Sequence, residues 1–388
     1  MNLSYWEYNS FFKDIDVAIV GSGIVGLSAA LHLKEQNEKL KVVVFERGFL
    51  PSGASTKNAG FACFGSVSEL LSDLNHLSEQ DVFTIVEKRW KGLQKLRNRI
   101  GDKNLNYQSF GGYELFKQQD ESIYYKCLDQ LESFNQLLKE ITGEKSVYQV
   151  SDQKIKSFGL SRVDHLIENT LEGQLDTGSM IKHLIQLARS KDIDIINGIS
   201  IEEIKEDESS VNLLTIDGDI IKAKQVIVAT NGFARKLLPN QKVIPARNQV
   251  LVTTPIDNLQ LKGCFHYDEG FIYCRNIGNR VLIGGARNQD AKNETTSEFG
   301  LTNKITEHLH QFLKETVLSN TNYQIEHQWS GIMGVGASKD PIVKAVSPNI
   351  YVAIRLGGMG VAIGSLVGED VANLLLKKYN QYTPQSNL

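Results

Sequence analysis

Cysteine is scarce in this chain, and what there is lies scattered. Cys63, Cys127, Cys264 and Cys274 among 388 residues show no CxxC spacing and no matching histidine cluster. That speaks against a zinc site or a redox dithiol and leaves them as small buried hydrophobes. Long apolar runs are missing too. No segment reaches about 18 uninterrupted apolar residues, so no membrane span is expected. The opening MNLSYWEYNSFFKD lacks both the basic start and the continuous apolar stretch of a secretory signal, which makes the cytoplasm the default location. Nor is there an excess of charge: 42 basic and 45 acidic residues leave a formal net charge of −3. With the two signs interspersed, no broad positive field exists for nucleic acid or an anionic membrane. Neither repeats nor low-complexity tracts occur. A hydrophobic content of 41% suits a globular enzyme long enough for two domains sharing one large core.

Against those absences stands GSGIVG at residues 21–26. An apolar run at 17–20 precedes it, of the kind that forms a buried parallel strand. Gly21 permits a tight bend, Gly23 lets the backbone approach a pyrophosphate, and Gly26 lets the following helix pack close to the strand. The helix starts near Ile24, so its free amides and positive dipole end point at phosphates. A second apolar strand at 42–45 delivers Glu46, whose carboxylate can accept from two ribose hydroxyls. A bare GxGxxG also arises as a tight turn binding nothing. Here strand, glycines, helix, strand and acid fall in order, and the dinucleotide reading follows.

Beyond Glu46, PSGASTKNAGFACFGS is rich in small residues and poor in helix or strand pattern, as if it lay against something flat. Residues 70–141 read as helical and charged, most clearly at 82–100, interrupted by a strand-like GGYELF at 111–116. The nucleotide domain resumes with a helix over 179–190, strands near 193–196 and 199–204, and a buried strand QVIVAT at 225–230 followed by Asn231 and Gly232. Alternating strands dominate 245–324 and suit an antiparallel sheet with one covered face, with a helix near 304–317 beside it. A strand at 350–354 leads through RLGGMG into an apolar helix from 361 to about 376. That second helix start can stabilise negative charge on a flat heterocycle, although close packing on a sheet would leave the same trace.

With these pieces, the chain resembles the FAD-dependent superfamily of D-amino-acid oxidase, glycine oxidase and sarcosine oxidase. The resemblance rests on GSGIVG with Glu46, GASTKNAGF at 53–61, VIVATNG, PARNQ at 245–249, WSG at Trp329 and RLGGMGVAIG. SYWE at 4–7 is similar to the gamma-glutamylputrescine oxidase branch. The resemblance implies an α/β fold: a Rossmann-like FAD-binding domain, with a central parallel sheet and a three-stranded antiparallel crossover, and an α+β substrate domain with an antiparallel sheet. The FAD domain would span 1–80, 150–244 and 325–388, and the substrate domain 81–149 and 245–324. FAD would lie extended, its adenosine at Glu46 and Arg47 and its pyrophosphate at Ser22, Gly23, Ile24 and Val25. Ala54, Ser55, Asn58, Ala59, Gly60 and Phe61 would border pyrophosphate and ring. A backbone contact to adenine would fall near Ile201, and Ala229, Thr230 and Gly232 would touch the cofactor. Gly357, Gly358, Met359, Gly360 and Val361 would meet the flavin pyrimidine edge. No cysteine occurs in 329–340, where sarcosine-oxidase relatives tether FAD, so dissociable, non-covalent FAD is implied.

The implied activity is oxidation of a C–N bond of a small-molecule amine or amino acid by hydride transfer to flavin N5, giving an imine that hydrolyses. The electrons would pass to oxygen or an electron-transfer acceptor. An apolar cage that disfavours ammonium can replace a dedicated base, so no histidine is required; of the eight scattered histidines only His266, beside the predicted sheet, invites a mechanistic role, and a surface or structural role is the commoner reading for it. The positions of two family arginines that clamp a substrate carboxylate fall on Met333 and Gly358, which points to an amine or to an acid anchored elsewhere. A lysine that assists oxygen reduction is replaced by Leu282. Tyr273 and Arg275, two apart on one strand, are substrate-side candidates, with Arg275 read equally well as a solvent-facing rim residue. Lys57 is a third candidate, open also to pairing with phosphate or solvent, while Arg247 reads as structural. The alternatives are a 2-hydroxy-acid or alcohol dehydrogenase and a non-catalytic flavoprotein whose FAD is structural or redox-sensing.

Overall fold

The computed structural model describes residues 1–382. Ile15–Val20 forms the centre of the first sheet, with Val42–Glu46 and Ile220–Val228 parallel to it on either side. The order continues through Ile350–Ile354 to an antiparallel Ile342–Ala345 at one edge and ends with Asp194–Asn197 at the other. Val17, Ala18 and Ile19 are fully buried, because both faces of a parallel sheet are covered, which is why this strand reads as an unbroken apolar run. Ile201–Glu206, Val211–Thr215 and the first half of Ile220–Val228 pair antiparallel as an appendage of the same sheet. The expected strand at 225–230 is therefore longer on its N-terminal side, where alternation sets in once one face becomes open.

Two helices lie together against this sheet, Ile24–Gln36 and Gly360–Tyr382. Their approach is set by small residues one turn apart. A Cβ on Gly364 would sit 2.7 Å from Ile24 Cγ2, and one on Gly368 would sit 2.6 Å from the Val25 carbonyl oxygen. Only glycine allows this spacing, and the result is that the two helix starts lie side by side. Gly26 does the same between helix and strand: its Cβ would fall 2.0 Å from the Gly21 carbonyl oxygen.

The second sheet has eight strands in the order Ile325–Val335, Ile244–Thr253, Arg280–Gly285, Ile272–Ile277, Cys264–Tyr267, Gly112–Phe116, His165–Asn169 and Tyr148–Val150. It is antiparallel as expected, with one parallel pairing, Cys264–Tyr267 beside Gly112–Phe116. It corrects the expected domain limits. Tyr148–Val150, His165–Asn169 and Ile325–Val335 all belong to the substrate-side sheet, and the boundaries placed at 150 and 325 fall inside or beside its strands. The amphipathic helices Glu79–Ile100 and Glu121–Thr142 each end at a glycine in the positive-φ region; Glu121–Thr142 and the first turns of Glu79–Ile100 pack over this side, while Leu93, Leu96 and Ile100 pack into the core of the first sheet beside Gly360–Tyr382. Among the described residues no helix is long and apolar enough to cross a membrane.

Residues 51–66 connect the two sheets and are more ordered than their composition suggests. Ala54–Lys57 forms a helical turn, and Phe61–Ala62 pairs with Gly173–Gln174. Asn58 organises the turn between them: its Oδ1 accepts from the Gly60 amide at 2.8 Å and from Thr177 Oγ1 at 2.9 Å. An asparagine closing a turn on its own backbone leaves little periodic signal.

Candidate functional site

A cleft of about 510 Å³ runs from the glycine turn of the first sheet to the face of the second. At its nucleotide end Glu46 is 5% exposed. Its Oε2 accepts from Ser22 Oγ at 2.9 Å and the Ser22 amide at 3.3 Å, and its Oε1 from Ser52 Oγ at 2.9 Å and the Gly48 amide at 3.0 Å. Ser55 Oγ accepts from the Ile24 amide at 2.9 Å, standing where a phosphate oxygen would meet the helix start. Arg47 lies with its guanidinium carbon 3.9 Å over the Phe233 ring, a cation–π shelf at the mouth. Ile201 lines the cleft together with Ile199 and Ser200.

Three observations test whether these residues suit a dinucleotide. Gly21 has φ +108°, and a Cβ there would lie 2.9 Å from the Ala229 carbonyl oxygen, so the chain passes where only glycine fits. Thr230 Oγ1, beside the cleft, is buried without a hydrogen-bond partner, and such groups are rare unless something absent satisfies them. Gly357 and Gly358 hold φ of +59° and +88° and turn the chain into the last helix, whose first amides have no partner within the helix. A nucleotide at the first helix start and a ring edge at the second fit this cradle.

At the other end the cleft meets Tyr273, His266, Phe271, Asn248, Met333 and Phe61. Phe61 packs edge-on against both His266 and Tyr273. Leu282, Val250, Val252 and Ala59 form an apolar cluster behind, with Tyr273 and Trp329 packed on it. Burial pushes the Tyr273 hydroxyl well above its ordinary value, so it stays protonated. Deeper in, Glu69 receives Arg89 Nη2 at 3.1 Å and Lys339 Nζ at 2.8 Å. Burial alone would raise Glu69, but these two cations bring it down to about 2. Glu114 is held up by burial against the hydrogen bonds of Ser68 and Ser66. Cys63, Glu172 and His266 bring metal-binding side-chain types within 4.8 Å of one another. Burial drives the Cys63 thiol up, and the His266 imidazole faces the Glu172 carboxylate at 3.6 Å.

The expected cofactor residues Gly21, Gly23, Ile24, Val25, Glu46, Arg47, Ala54, Ser55, Asn58, Ala59, Phe61, Ile201, Ala229 and Thr230, and the five residues 357–361, line the cleft, as do Lys57 and Tyr273. Four expected positions stand behind its wall. Ser22 is fully buried under Glu46, Gly26 packs on Gly21, Gly60 on the Leu175 carbonyl, and Gly232 on the Met333 carbonyl. Arg275 is corrected as well. It is neither a rim residue nor a substrate anchor, being 7% exposed and donating from Nε to the Ala59 carbonyl and from Nη2 to the Leu175 carbonyl at 3.1 Å. Arg247 forms a fork with Glu294 at 2.9 and 3.0 Å. Lys57 sends its carbonyl to Trp329 Nε1 at 2.9 Å, and its ammonium lies 5.9 Å from the Phe299 ring centroid.

The sequence reading passed over Asn248, Arg287 and the cleft position of His266. Asn248 Oδ1 is buried and unpartnered, and its Nδ2 lies 3.6 Å from Met333 Sδ. Arg287 lines the cleft with its guanidinium carbon 5.2 Å from the Phe271 ring centroid. The only local signal for Arg287 is its place just past the GGA that ends its strand.

A parallel sheet that ends in a glycine turn beneath a cleft, faced by a second sheet bearing polar and aromatic side chains, defines a dinucleotide-dependent oxidoreductase. The profile of the FAD dependent oxidoreductase family matches residues 16–374, and the chain belongs to that family; its cofactor is FAD, and the reading of a non-catalytic flavoprotein gives way. It is 22% identical over 384 residues to "Probable oxidoreductase OrdL" of Haemophilus influenzae, covering 93% of this chain and 83% of that one. It is 23% identical over 404 residues to gamma-glutamylputrescine oxidoreductase of Escherichia coli, covering 96% and 86%. Among solved structures its fold is similar to that of L-proline dehydrogenase from P. horikoshii, with a TM-score of 0.73 at 17% identity and 94% of each chain covered.

Proposed function

We propose that the protein oxidises the C–N bond of an amine, giving an imine that water hydrolyses, with FAD bound non-covalently. The observation that carries this reading is the meeting of Met333 and Gly358: a Cβ on Gly358 would lie 3.4 Å from Met333 Sδ. The two positions where the resemblance places carboxylate-clamping arginines thus form one apolar corner, and a substrate carboxylate there would be buried without a partner. When bound, FAD supplies the acceptor for the two electrons and hydrogen that leave the carbon beside nitrogen. The chain supplies position and field. Phe61, Tyr273 and Met333 exclude water, which favours an uncharged amine, and the buried Asn248 Oδ1 is an acceptor for an amine N–H. Relatives named for oxidising a glutamylated polyamine and proline support the same bond type. Leu282, 2% exposed in an apolar cluster where the resemblance places an oxygen-assisting lysine, supports an electron-transfer acceptor over oxygen.

Mixing the FAD-loaded protein anaerobically with primary and secondary amines should bleach the yellow flavin band. Bleaching by 2-hydroxy acids with none by amines would replace this reading with an alcohol-type dehydrogenase.

A further inference from the structure

His266 lies on Cys264–Tyr267, at the register position beside Glu114 of the parallel strand and opposite Tyr273 of the antiparallel one. Its ring is anchored from behind. Nε2 is buried with no hydrogen-bond partner and lies 3.6 Å from Glu172 Oε2. Glu172 is 1% exposed, and its other oxygen accepts from the Phe64 amide at 2.8 Å and the Gly65 amide at 3.2 Å. The carboxylate is thus fixed by backbone and turns one oxygen to the imidazole. The front of the ring is different. Nδ1 neither takes part in a hydrogen bond among the described residues nor stands among the buried unpartnered atoms, and His266 lines the cleft next to Phe61 and Gly270. A carboxylate facing Nε2 at 3.6 Å favours the tautomer that keeps its proton on Nε2 and leaves the Nδ1 lone pair toward the cleft.

We infer that His266, oriented by Glu172, is the base that takes the proton from a substrate ammonium through Nδ1. This rests on the amine reading above and deepens it. The balance is simple: R2CH–NH3⁺ and neutral imidazole give R2CH–NH2 and imidazolium. The amine lone pair so freed is what allows the carbon beside it to give up hydrogen to the acceptor, and the imidazolium returns its proton to solvent or product. The surroundings suit the task. Burial alone would lower the basicity of His266, but Glu172, with Glu114 and Glu69 behind it, reverses that and raises it. The other ionisable groups around the ring are Cys63 and Cys264, the paired Lys339 and Arg89 that offset Glu69, Tyr273 opposite and Glu269 in the adjoining loop. Burial holds the Cys63 thiol and the Tyr273 hydroxyl protonated, and three carboxylates face the ring.

The test has two arms. In the first, anaerobic flavin reduction by an amine is followed against pH. In the wild type the rate constant rises through an enzyme ionisation below the free amine's own. In His266→Phe, which keeps a ring against Phe61, reduction at pH 7 falls by about 100-fold or more, and the limb moves up to the amine's pKa, where the rate recovers. Glu172→Gln presents an N–H to Nε2, reverses the tautomer, and slows reduction at pH 7, with the rate again recovering at the amine's own pKa. An unchanged pH limb in His266→Phe overturns the assignment while leaving the amine reading intact; failure of every amine to bleach the wild type overturns both. The second arm needs no turnover. With ¹⁵N-histidine labelling, neutral His266 should show the Nε2–H form in the wild type and the Nδ1–H form in Glu172→Gln. An Nδ1–H form in the wild type refutes the arrangement even if both variants misfold.

Discussion

Glu46→Gln is the sharpest probe of how the cofactor is held. The carboxylate already accepts four protein donors, from the Ser22 and Gly48 amides and the Ser22 and Ser52 hydroxyls, and a carboxylate offers about four such sites. Two ribose hydroxyls must therefore displace the two serine hydroxyls, which can turn away, while the amides stay. A charge-assisted hydrogen bond is worth roughly 1.5 to 3 kcal/mol. Because the exchange swaps one hydroxyl for another, the loss in Glu46→Gln belongs near the low end, about 1.5 kcal/mol or roughly a tenfold weaker Kd for FAD. The glutamine oxygen still serves one amide, so the apoprotein should melt within a few degrees of the wild type. Ser52→Ala, which removes a competing donor, should leave the Kd equal or slightly tighter. The assay is titration of stripped apoprotein followed by flavin fluorescence. An unchanged Kd in Glu46→Gln, or a large loss in Ser52→Ala, would refute the exchange argument and with it the placement of the ribose.

Arg275→Lys should release FAD more readily and leave the KM for substrate unchanged. It gives up at least one of the two carbonyls that the guanidinium holds, at about 1 to 3 kcal/mol; a raised KM with normal FAD retention would return Arg275 to the substrate. Glu69 provides a pH signature. Its value in the folded protein, about 2 against an ordinary 4.5, is depressed, so it stabilises the fold above about pH 4.5 and that contribution is lost as pH falls toward 2. The wild type should exceed Glu69→Gln by at most about 3 kcal/mol near neutrality, with the gap in melting temperature closing on acidification. A gap that stays constant from pH 6 to pH 3 contradicts the ion-pair assignment.

The nucleotide end was legible because its chemistry is local. A strand, a turn that only Gly21 and Gly26 can make, a helix start and an acid at the next strand end are all properties of 31 consecutive residues, 16–46, and sequence spacing carries each of them. The substrate end is built from pairings that no local pattern records. His266 gains Glu172 as its partner only because Cys264–Tyr267 joins Gly112–Phe116 in parallel within an otherwise antiparallel sheet. The same non-local pairing draws in the short strands Tyr148–Val150 and His165–Asn169 and displaces the expected domain limits. Arg275 shows the limit of the alternation rule. It does point to the same side of its strand as Tyr273, but Tyr273 stops at the cleft while the longer guanidinium passes behind it to the loop carbonyls.

That loop explains why the two ends of the site cannot be tuned separately. Residues 51–66 carry Ser55 at the phosphate position and Phe61 and Cys63 at the substrate face, and they are tied to elements on both sides of the cleft. Trp329 and Arg275 hold the Lys57 and Ala59 carbonyls from the second sheet, and Thr177 holds Asn58 from the helix over the first. Displacing the loop at either side moves phosphate contact and chamber wall together, because the helical turn and the short strand are separated by only three residues. Cofactor release and loss of the substrate chamber are therefore one structural event, and substitutions at Trp329 or Thr177 should be read for FAD retention before any change in turnover is assigned to chemistry.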